Sequence, residues 1–274
     1  MPSNHPLMIA VAPNGARKQK SDHPRLPITP REIAHTAAAC VEAGACMLHL
    51  HVRDADNRHS LDATRYREAI AAIRREVGEE IIIQITTEAV GSYTREEQMR
   101  AVIEVRPEAV SLAIRELCPP GIDAAGAAEF FTFLQREKIQ PQYILYSRED
   151  IQHFSKLLER GIVPDDKLSV LLVLGRYAQN QQSDVADLAP LLSALGDVDF
   201  WSLCAFGASE ADCMLEAIQQ GGHCRVGFEN NLLLAGGTIA EDNAALVTVV
   251  SDCAASLNRK IASADAARKL LGMT

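Results

Sequence analysis

The feature that most constrains the fold of this chain is an alternation of short apolar runs with helical segments, repeated eight times along 274 residues. The apolar runs are continuous, which is typical of strands buried on both faces of a parallel sheet. Two helical segments open with capping boxes, Thr29–Glu32 and Thr94–Glu97. The pattern predicts an α/β fold, a single (β/α)8 TIM barrel spanning residues 1–274, rather than an open doubly wound sheet.

Element boundaries follow from the apolar runs, the caps and the turn residues. Strands are predicted at Leu7–Ala12, Cys46–His51, Ile81–Thr86, Ala109–Ala113, Tyr143–Tyr146, Leu168–Leu174, Asp199–Ala205 and Cys224–Val226. Helices are predicted at 29–43, 62–76, from Thr94, 124–137, from Ser147, 185–195, from Ser209 to Gln219 and from Ile239. A short polar helix after Ser263 could serve subunit contact.

Charge and cysteine usage exclude several classes of partner. The net charge of −9, without a basic run interleaved with aromatics, argues against nucleic acid and anionic membrane. The seven cysteines are scattered and form no CxxC pair, as expected for buried thiols in a reducing compartment. We find no signal peptide and no apolar run of membrane-spanning length, and we therefore expect a cytoplasmic protein.

The second predicted strand ends in His49-Leu50-His51. Side chains two residues apart on a strand point to the same face, so the two imidazoles would lie side by side. Such a pair forms half of a site for Zn²⁺, Mn²⁺ or Fe²⁺. The alternative is that one histidine is buried against a backbone carbonyl and the other is solvated.

Further polar residues stand at the C-terminal ends of the strands, where TIM barrels carry their active sites. They are Asn14, Thr86, Glu88, Ser111, Glu116, Arg225, Glu229 and Asn230. Only the first strand separates the second from the eighth, so Glu229 can supply a third metal ligand and leave an open position. The alternatives are an ordinary loop carboxylate at Glu229 and a structural ion pair at Arg225.

Several longer motifs together resemble the beta-keto acid cleavage enzymes, whose best-known member acts on 3-keto-5-aminohexanoate. They are Ala12-Pro-Asn-Gly-Ala16, Lys20-Ser-Asp-His-Pro24, Leu26-Pro-Ile-Thr-Pro30, Glu32-Ile-Ala34, Ala43-Gly-Ala45, His49-Leu-His-Val-Arg-Asp54 and Arg225-Val-Gly-Phe-Glu-Asn-Asn231. These motifs extend from the first strand to the eighth. The combination is specific, although HxHxRD alone would not be.

The resemblance implies a zinc-dependent TIM barrel that converts a beta-keto acid and acetyl-CoA into acetoacetate and a new acyl-CoA. It implies that His49, His51 and Glu229 are the zinc ligands and that Arg225 is an active-site arginine. Thr86 lies where the family has a hydroxyl residue. We expect Asn14, Ser111 and Glu116 to contact the substrate. We also expect the protein to form a homo-oligomer, either a dimer or a tetramer.

A basic loop follows the first strand and carries Arg17, Lys18 and Lys20. On the rim of a barrel these side chains could bind the phosphates of CoA. A solvated loop without ligand is the alternative.

Two positions depart from the family pattern. The well-studied form has an aspartate, proposed as the base, directly after the ligand glutamate, where this chain has Asn230. An amide cannot accept a proton usefully near neutral pH, but it can donate a hydrogen bond to an oxyanion. The fifth strand carries Gln142-Tyr-Ile144 where the family has acidic residues. The base therefore stays open among Glu88, Asp54 and Glu116.

Three other functions use the same residues. A metal-dependent hydrolase of the amidohydrolase kind also uses HxH, but needs further histidines, for which only His153 and His223 remain. A metal-dependent retro-aldolase shares the enolate chemistry. A barrel that binds a metal or metabolite without catalysis is the third, and Asn230 makes it worth testing.

Overall fold

A computed structural model describes residues 5–273 and contains a closed barrel of eight parallel strands, which confirms the predicted TIM barrel. The barrel strands, in chain order, are β1 Ile9–Val11, β2 Met47–Leu50, β3 Ile82–Thr86, β4 Ala109–Ala113, β5 Gln140–Leu145, β6 Ser169–Leu174, β7 Phe200–Ala205 and β8 His223–Val226. The main helices are α1 Pro30–Glu42, α2 Ala63–Val77, α3 Arg95–Val105, α4 Ala125–Arg136, α5 Arg148–Glu159, α6 Leu188–Leu195, α7 Glu210–Gln219, α8 Asn243–Ser256 and α9 Ala264–Leu271.

The closure of the barrel brings distant parts of the sequence together. Strand β1 lies between β8 and β2, and its residue Val11 pairs with Val226 on one side and with Leu48 on the other. The ends of β2 and β8 are therefore near neighbours on the barrel rim, although they lie far apart in the chain. This arrangement confirms the strand order on which the proposed metal site depends.

Both predicted capping boxes form. The Thr29 and Thr94 side chains each accept a hydrogen bond from the backbone of the glutamate three residues later, and each glutamate accepts one in return. Ser209 precedes α7 as predicted but makes no side-chain cap hydrogen bond. Helix α8 begins at Asn243 rather than near Ile239, because Asp242 provides the N-cap and Ile239 is held in a bridge to Leu233.

Two of the short elements that were not predicted follow barrel strands directly. An antiparallel hairpin, Val52–Arg53 with His59–Ser60, follows β2 immediately, and a single helical turn, Ile114–Leu117, follows β4. Both lie at the C-terminal end of the barrel. They are too short to produce a periodic sequence pattern.

The last helix, α9, closes the N-terminal end of the barrel. Its apolar residues, among them Ala267 and Leu271, form one buried cluster with Met8 and Ile82 of the barrel floor. Its buried Arg268 also faces the barrel and donates hydrogen bonds to Glu108 Oε1 and to the backbone oxygen of Glu79. No helix among residues 5–273 combines the length and the apolar character that a bilayer span requires.

A glycine controls the chain path after β8. Gly227 has a φ of +131°, and a Cβ added there would lie 2.5 Å from the carbonyl oxygen of Ala12. Two residues later, the Glu229 N–H donates a hydrogen bond of 3.0 Å to that same oxygen. The close approach of the loop after β8 to β1 therefore requires glycine at position 227, and this approach fixes the position of the Glu229 backbone.

We predict that Gly227→Ala destabilises the protein by about 1–3 kcal/mol, since both its φ and its contact with Ala12 become unfavourable. Gly126→Ala is the matched control, because Gly126 lies in α4 with nothing within 4 Å of its added Cβ. That control should be neutral or stabilising by up to about 1 kcal/mol. Urea unfolding followed by circular dichroism measures both. Equal midpoints for the two variants would contradict this prediction.

Candidate metal centre and active site

Three side chains converge at the C-terminal end of the barrel. His49 lies on β2, His51 directly follows it, and Glu229 arrives from the loop after β8. Glu229 Oε2 lies 3.2 Å from His51 Nε2 and 3.6 Å from His49 Nε2. The two Nε2 atoms are 3.1 Å apart. One ligand atom from each residue therefore lies within 4.8 Å of the others, which is the spacing of a candidate metal centre.

The protonation of His49 follows from its partner. His49 Nδ1 lies 2.8 Å from Gln84 Oε1 of β3, and an amide oxygen can only accept, so Nδ1 carries the proton. Burial, together with the nearby charge of Arg225, lowers the pKa of His49 to about 3. The ring is therefore neutral near pH 7, with the Nε2 lone pair directed at the other two groups.

Arg225 on β8 holds one oxygen of the Glu229 carboxylate. Its Nη2 donates to Glu229 Oε1 at 3.1 Å and to Cys204 Sγ at 3.3 Å. Burial alone would raise the pKa of Glu229, but the Arg225 guanidinium together with the neighbouring His51 and His49 holds that pKa well below its usual range. The carboxylate is therefore ionised.

These residues fit a divalent cation. Glu229 Oε2 is buried and has no hydrogen-bond partner, and it faces the Nε2 atoms of His49 and His51. Unpaired buried acceptors are costly, and a carboxylate with two imidazole nitrogens is a donor set that transition metals prefer. A cation would satisfy all three atoms at once.

Other unpartnered polar atoms belong to the residues beside this centre. Among residues 5–273, the buried side-chain atoms without a partner are Glu229 Oε2, Asn14 Oδ1, Ser111 Oγ, Arg225 Nε, both polar atoms of Asn230, and Glu210 Oε1. All but the last belong to residues that the sequence identified at strand ends. Glu210 accepts a hydrogen bond from Asn231, and burial raises its pKa to about 8.

A cavity opens beside Glu229 and contains part of the predicted set. It is lined by Asn14, Gly15, Ala16, Arg17, Lys18, Glu88, Arg176, Gln181, Phe206 and Glu229. Within it, Glu88 Oε1 lies 2.6 Å from Arg17 Nη1 and 3.4 Å from Arg176 Nη2. Lys18 Nζ donates to the backbone oxygen of Glu229 at 2.7 Å. The cavity thus combines two carboxylates with three basic groups.

The remaining predicted residues are engaged elsewhere. Thr86 Oγ1 accepts from the Glu88 N–H at 3.0 Å, and Glu116 Oε2 accepts from the Ala89 N–H at 3.0 Å, so both hold the loop after β3. Asp54 accepts from two backbone N–H groups in the hairpin turn. Lys20 pairs with Glu32 at 2.7 Å and does not line the cavity.

Three residues of this region were not predicted from the sequence. Gln84 is a polar residue inside the apolar run of β3, and a single polar residue in such a run could have indicated a functional side chain. Arg176 stands two residues after β6, at the same end of the barrel as the predicted residues. The hairpin after β2 brings a third missed residue, His59, next to His51.

Comparisons with known proteins identify the family of this chain. Residues 6–273 match the family model described as beta-keto acid cleavage enzyme. The chain is 30% identical over 272 residues to the 3-keto-5-aminohexanoate cleavage enzyme of Fusobacterium nucleatum subsp. nucleatum, covering 97% of this chain and 98% of the relative. It is also 30% identical over 278 residues to the 3-oxoadipate:acetyl-CoA acetyltransferase of Cupriavidus necator, covering 98% and 95% of the two chains.

A solved structure supports the fold. The ternary complex of ObcA with C4-CoA adduct and oxalate superposes with a TM-score of 0.70 at 18% identity, covering 91% of this chain and 68% of that one. At that identity the likeness concerns the fold alone. From the match over nearly the whole chain, this protein belongs to the beta-keto acid cleavage enzyme family.

Proposed function

We propose that this protein is a zinc-dependent acyltransferase that converts a beta-keto acid and acetyl-CoA into acetoacetate and a new acyl-CoA. The observation that carries the proposal is the convergence of His49, His51 and Glu229 beside a cavity at the barrel mouth. The Cupriavidus necator relative, whose name specifies acetyl-CoA as a substrate, supports the choice of co-substrate.

The metal follows from the donor set. Two neutral imidazoles and one carboxylate suit Zn²⁺, and another divalent transition metal would also fit them. Bound there, the ion would act as a Lewis acid toward the keto oxygen of the substrate, worth several kcal/mol of charge stabilisation. The protein's own contribution is a neutral His49 and an ionised Glu229, which leave the ion a net positive charge.

Glu88 is the base that we assign to the reaction. It lines the same cavity as Glu229, whereas Asp54 and Glu116 are engaged with backbone N–H groups. Burial opposes ionisation of Glu88, but His51 and the ion pair with Arg17 lower the pKa of Glu88 below its usual value. Glu88 is therefore ionised and can accept a proton, and Thr86 positions it through the Glu88 N–H.

The reaction then balances without another reactant. Glu88 takes the C2 proton of the beta-keto acid, and C2 attacks the thioester carbon of acetyl-CoA, which expels the CoA thiolate. The thiolate attacks the original ketone carbon, and the C2–C3 bond breaks to give the new acyl-CoA. Glu88 returns its proton to C2, and acetoacetate leaves.

The unpartnered groups at the mouth provide substrate contacts. Arg225 Nε and Ser111 Oγ carry unused hydrogen-bond donors, and the Asn14 side-chain oxygen is an unused acceptor. We assign Arg225 to the substrate carboxylate, since a guanidinium makes strong charge-assisted hydrogen bonds with carboxylates. Asn230 donates its amide N–H to a developing oxyanion and takes no proton.

Arg17 and Lys18 are assigned to the phosphates of acetyl-CoA. Arg17 is 54% exposed at its side chain and borders the cavity, so it can reach a phosphate without unfolding the loop. Lys20, predicted for the same role, is the weaker candidate because it pairs with Glu32 outside the cavity. We also propose that residues 1–274 form one catalytic domain that works as a cytoplasmic homo-oligomer.

The alternative functions have less support. His153 contacts the Cys118 carbonyl from α5, and His223 accepts a hydrogen bond from the Met8 N–H at the opposite end of β8. Neither reaches the candidate metal centre, and His59 contacts the Nδ1 side of His51 rather than the Nε2 side that faces Glu229, so a hydrolase of the amidohydrolase kind lacks its further ligands. A retro-aldolase and a non-catalytic barrel are separated from the main proposal by assay.

Incubation of the purified protein with acetyl-CoA and a panel of beta-keto acids tests the proposal. We expect acetoacetate and acyl-CoA to form together, to stop on chelation and to return on addition of Zn²⁺. Cleavage without acetyl-CoA would instead identify a retro-aldolase or a hydrolase. Tight ligand binding without turnover would identify a binding protein.

We predict that Glu88→Gln lowers kcat by about 10²–10⁴-fold, because removal of a positioned base has this effect. Its zinc content should be unchanged, since Glu88 is not among the proposed ligands. Glu116→Gln is the matched control and should keep most of the activity, because an amide oxygen still accepts from Ala89. If both variants kept wild-type kcat, Glu88 would not be the base.

We predict that Arg17→Gln raises KM for acetyl-CoA several-fold, since a charge-assisted contact to phosphate is worth about 1.5–3 kcal/mol at most and less at an exposed site. Lys20→Gln, which removes a neighbouring charge outside the cavity, is the control and should leave this KM within about twofold. Equal effects in the two variants would discard the assignment of Arg17 to CoA.

A further inference from the structure

A third imidazole touches the candidate metal centre from the hairpin after β2. Backbone pairing of Arg53 with His59 turns the chain back on itself, and the ring of His59 lies 5.2 Å from that of His51, centroid to centroid. The side chain of His59 is buried, with 9% of its surface exposed. Its place beside His51 depends on the hairpin and could not be predicted from the spacing of His49 and His51. Nothing in the proposed reaction uses it.

The hydrogen bonds of His59 run in one direction. Its Nε2 lies 2.8 Å from the backbone oxygen of Glu88, and because a carbonyl only accepts, Nε2 carries the proton. In the neutral ring, Nδ1 is then an acceptor. It lies 3.4 Å from His51 Nδ1, so it can accept the Nδ1 proton that His51 must carry whenever its Nε2 binds a cation.

The direction of these bonds determines what His51 presents to the site. With its proton on Nδ1, His51 has a lone pair on Nε2, the atom that faces Glu229 Oε2 at 3.2 Å. The opposite tautomer would place a proton where a cation has to bind. Gln84 Oε1 likewise accepts the Nδ1 proton of His49 and leaves the His49 Nε2 lone pair free for a cation. Each imidazole of the pair therefore has its own hydrogen-bond partner.

We propose that His59 is a positioning residue that fixes the tautomer and orientation of His51 and thereby sets the affinity of the site for a divalent cation. The proposal rests on the metal site of the proposed function but not on the reaction assigned to it. Partners of this kind on ligating histidines typically contribute about 10–100-fold in metal affinity.

Two isosteric substitutions separate the two bonds of His59. In His59→Asn the side-chain oxygen can occupy the position of Nδ1, so the acceptor for His51 is kept and the bond to Glu88 is lost. In His59→Gln the terminal amide can occupy the position of Nε2, so the bond to Glu88 is kept and the acceptor is lost. His59→Phe removes both.

We expect His59→Gln and His59→Phe to bind Zn²⁺ about 10–100-fold more weakly than the wild type. His59→Asn should stay within about threefold. Competition with a fluorescent chelator measures each affinity. The matched control is His223→Phe, because His223 is a buried histidine that accepts from the Met8 N–H at the opposite end of β8. Circular dichroism and unfolding midpoints establish that each variant is folded.

A spectroscopic measurement on the zinc-loaded wild type tests the tautomers directly. Long-range ¹H–¹⁵N correlation should place the proton of His51 on Nδ1 and that of His59 on Nε2. A proton on Nδ1 of His59, or equal zinc affinities for the asparagine and glutamine variants, would overturn the proposal. Loss of acyl transfer with these results intact would overturn the proposed function and leave the role of His59 standing.

Discussion

The site depends on the close approach of the β8 loop to strand β1. Gly227 permits this approach, and the hydrogen bond from Glu229 N–H to the Ala12 oxygen fixes it. Because β1 is the only strand between β8 and β2, the Glu229 carboxylate then faces the imidazoles of His49 and His51. A barrel of another strand order would leave the same three residues apart.

The electrostatics of the site favour an additional positive charge. Arg225 satisfies one oxygen of Glu229, and the other oxygen faces two imidazole nitrogens with no hydrogen-bond partner. Burial opposes the charge of Glu229, but Arg225 and the two imidazoles together hold its pKa well below the usual range, so the folded protein favours the ionised carboxylate. The side chains of Asn14, Ser111 and Asn230 lie at the same end of the barrel and also carry polar atoms without a hydrogen-bond partner.

The sequence predicted the barrel because each strand is a continuous apolar run and each helix carries its own start signal, as at Thr29 and Thr94. It also predicted that Glu229 would approach the His pair, since strand order follows from the barrel. It could not predict His59, because the hairpin that carries it has strands of two residues each. Nor could it predict that Arg17 lines the cavity and Lys20 does not, because the ion-pair partners of loop side chains depend on the tertiary structure. Arg17 pairs with Glu88, and Lys20 pairs with Glu32.

The central claim is that His49, His51 and Glu229 share one divalent cation at the mouth of the barrel. Anomalous X-ray diffraction at the zinc edge, on crystals of the zinc-loaded protein, tests it most directly. The account predicts a single strong peak about 2.0–2.2 Å from both Nε2 atoms and from Glu229 Oε2, with an open position toward the cavity. A peak bound by other residues, or none at this position in zinc-loaded crystals, would contradict it.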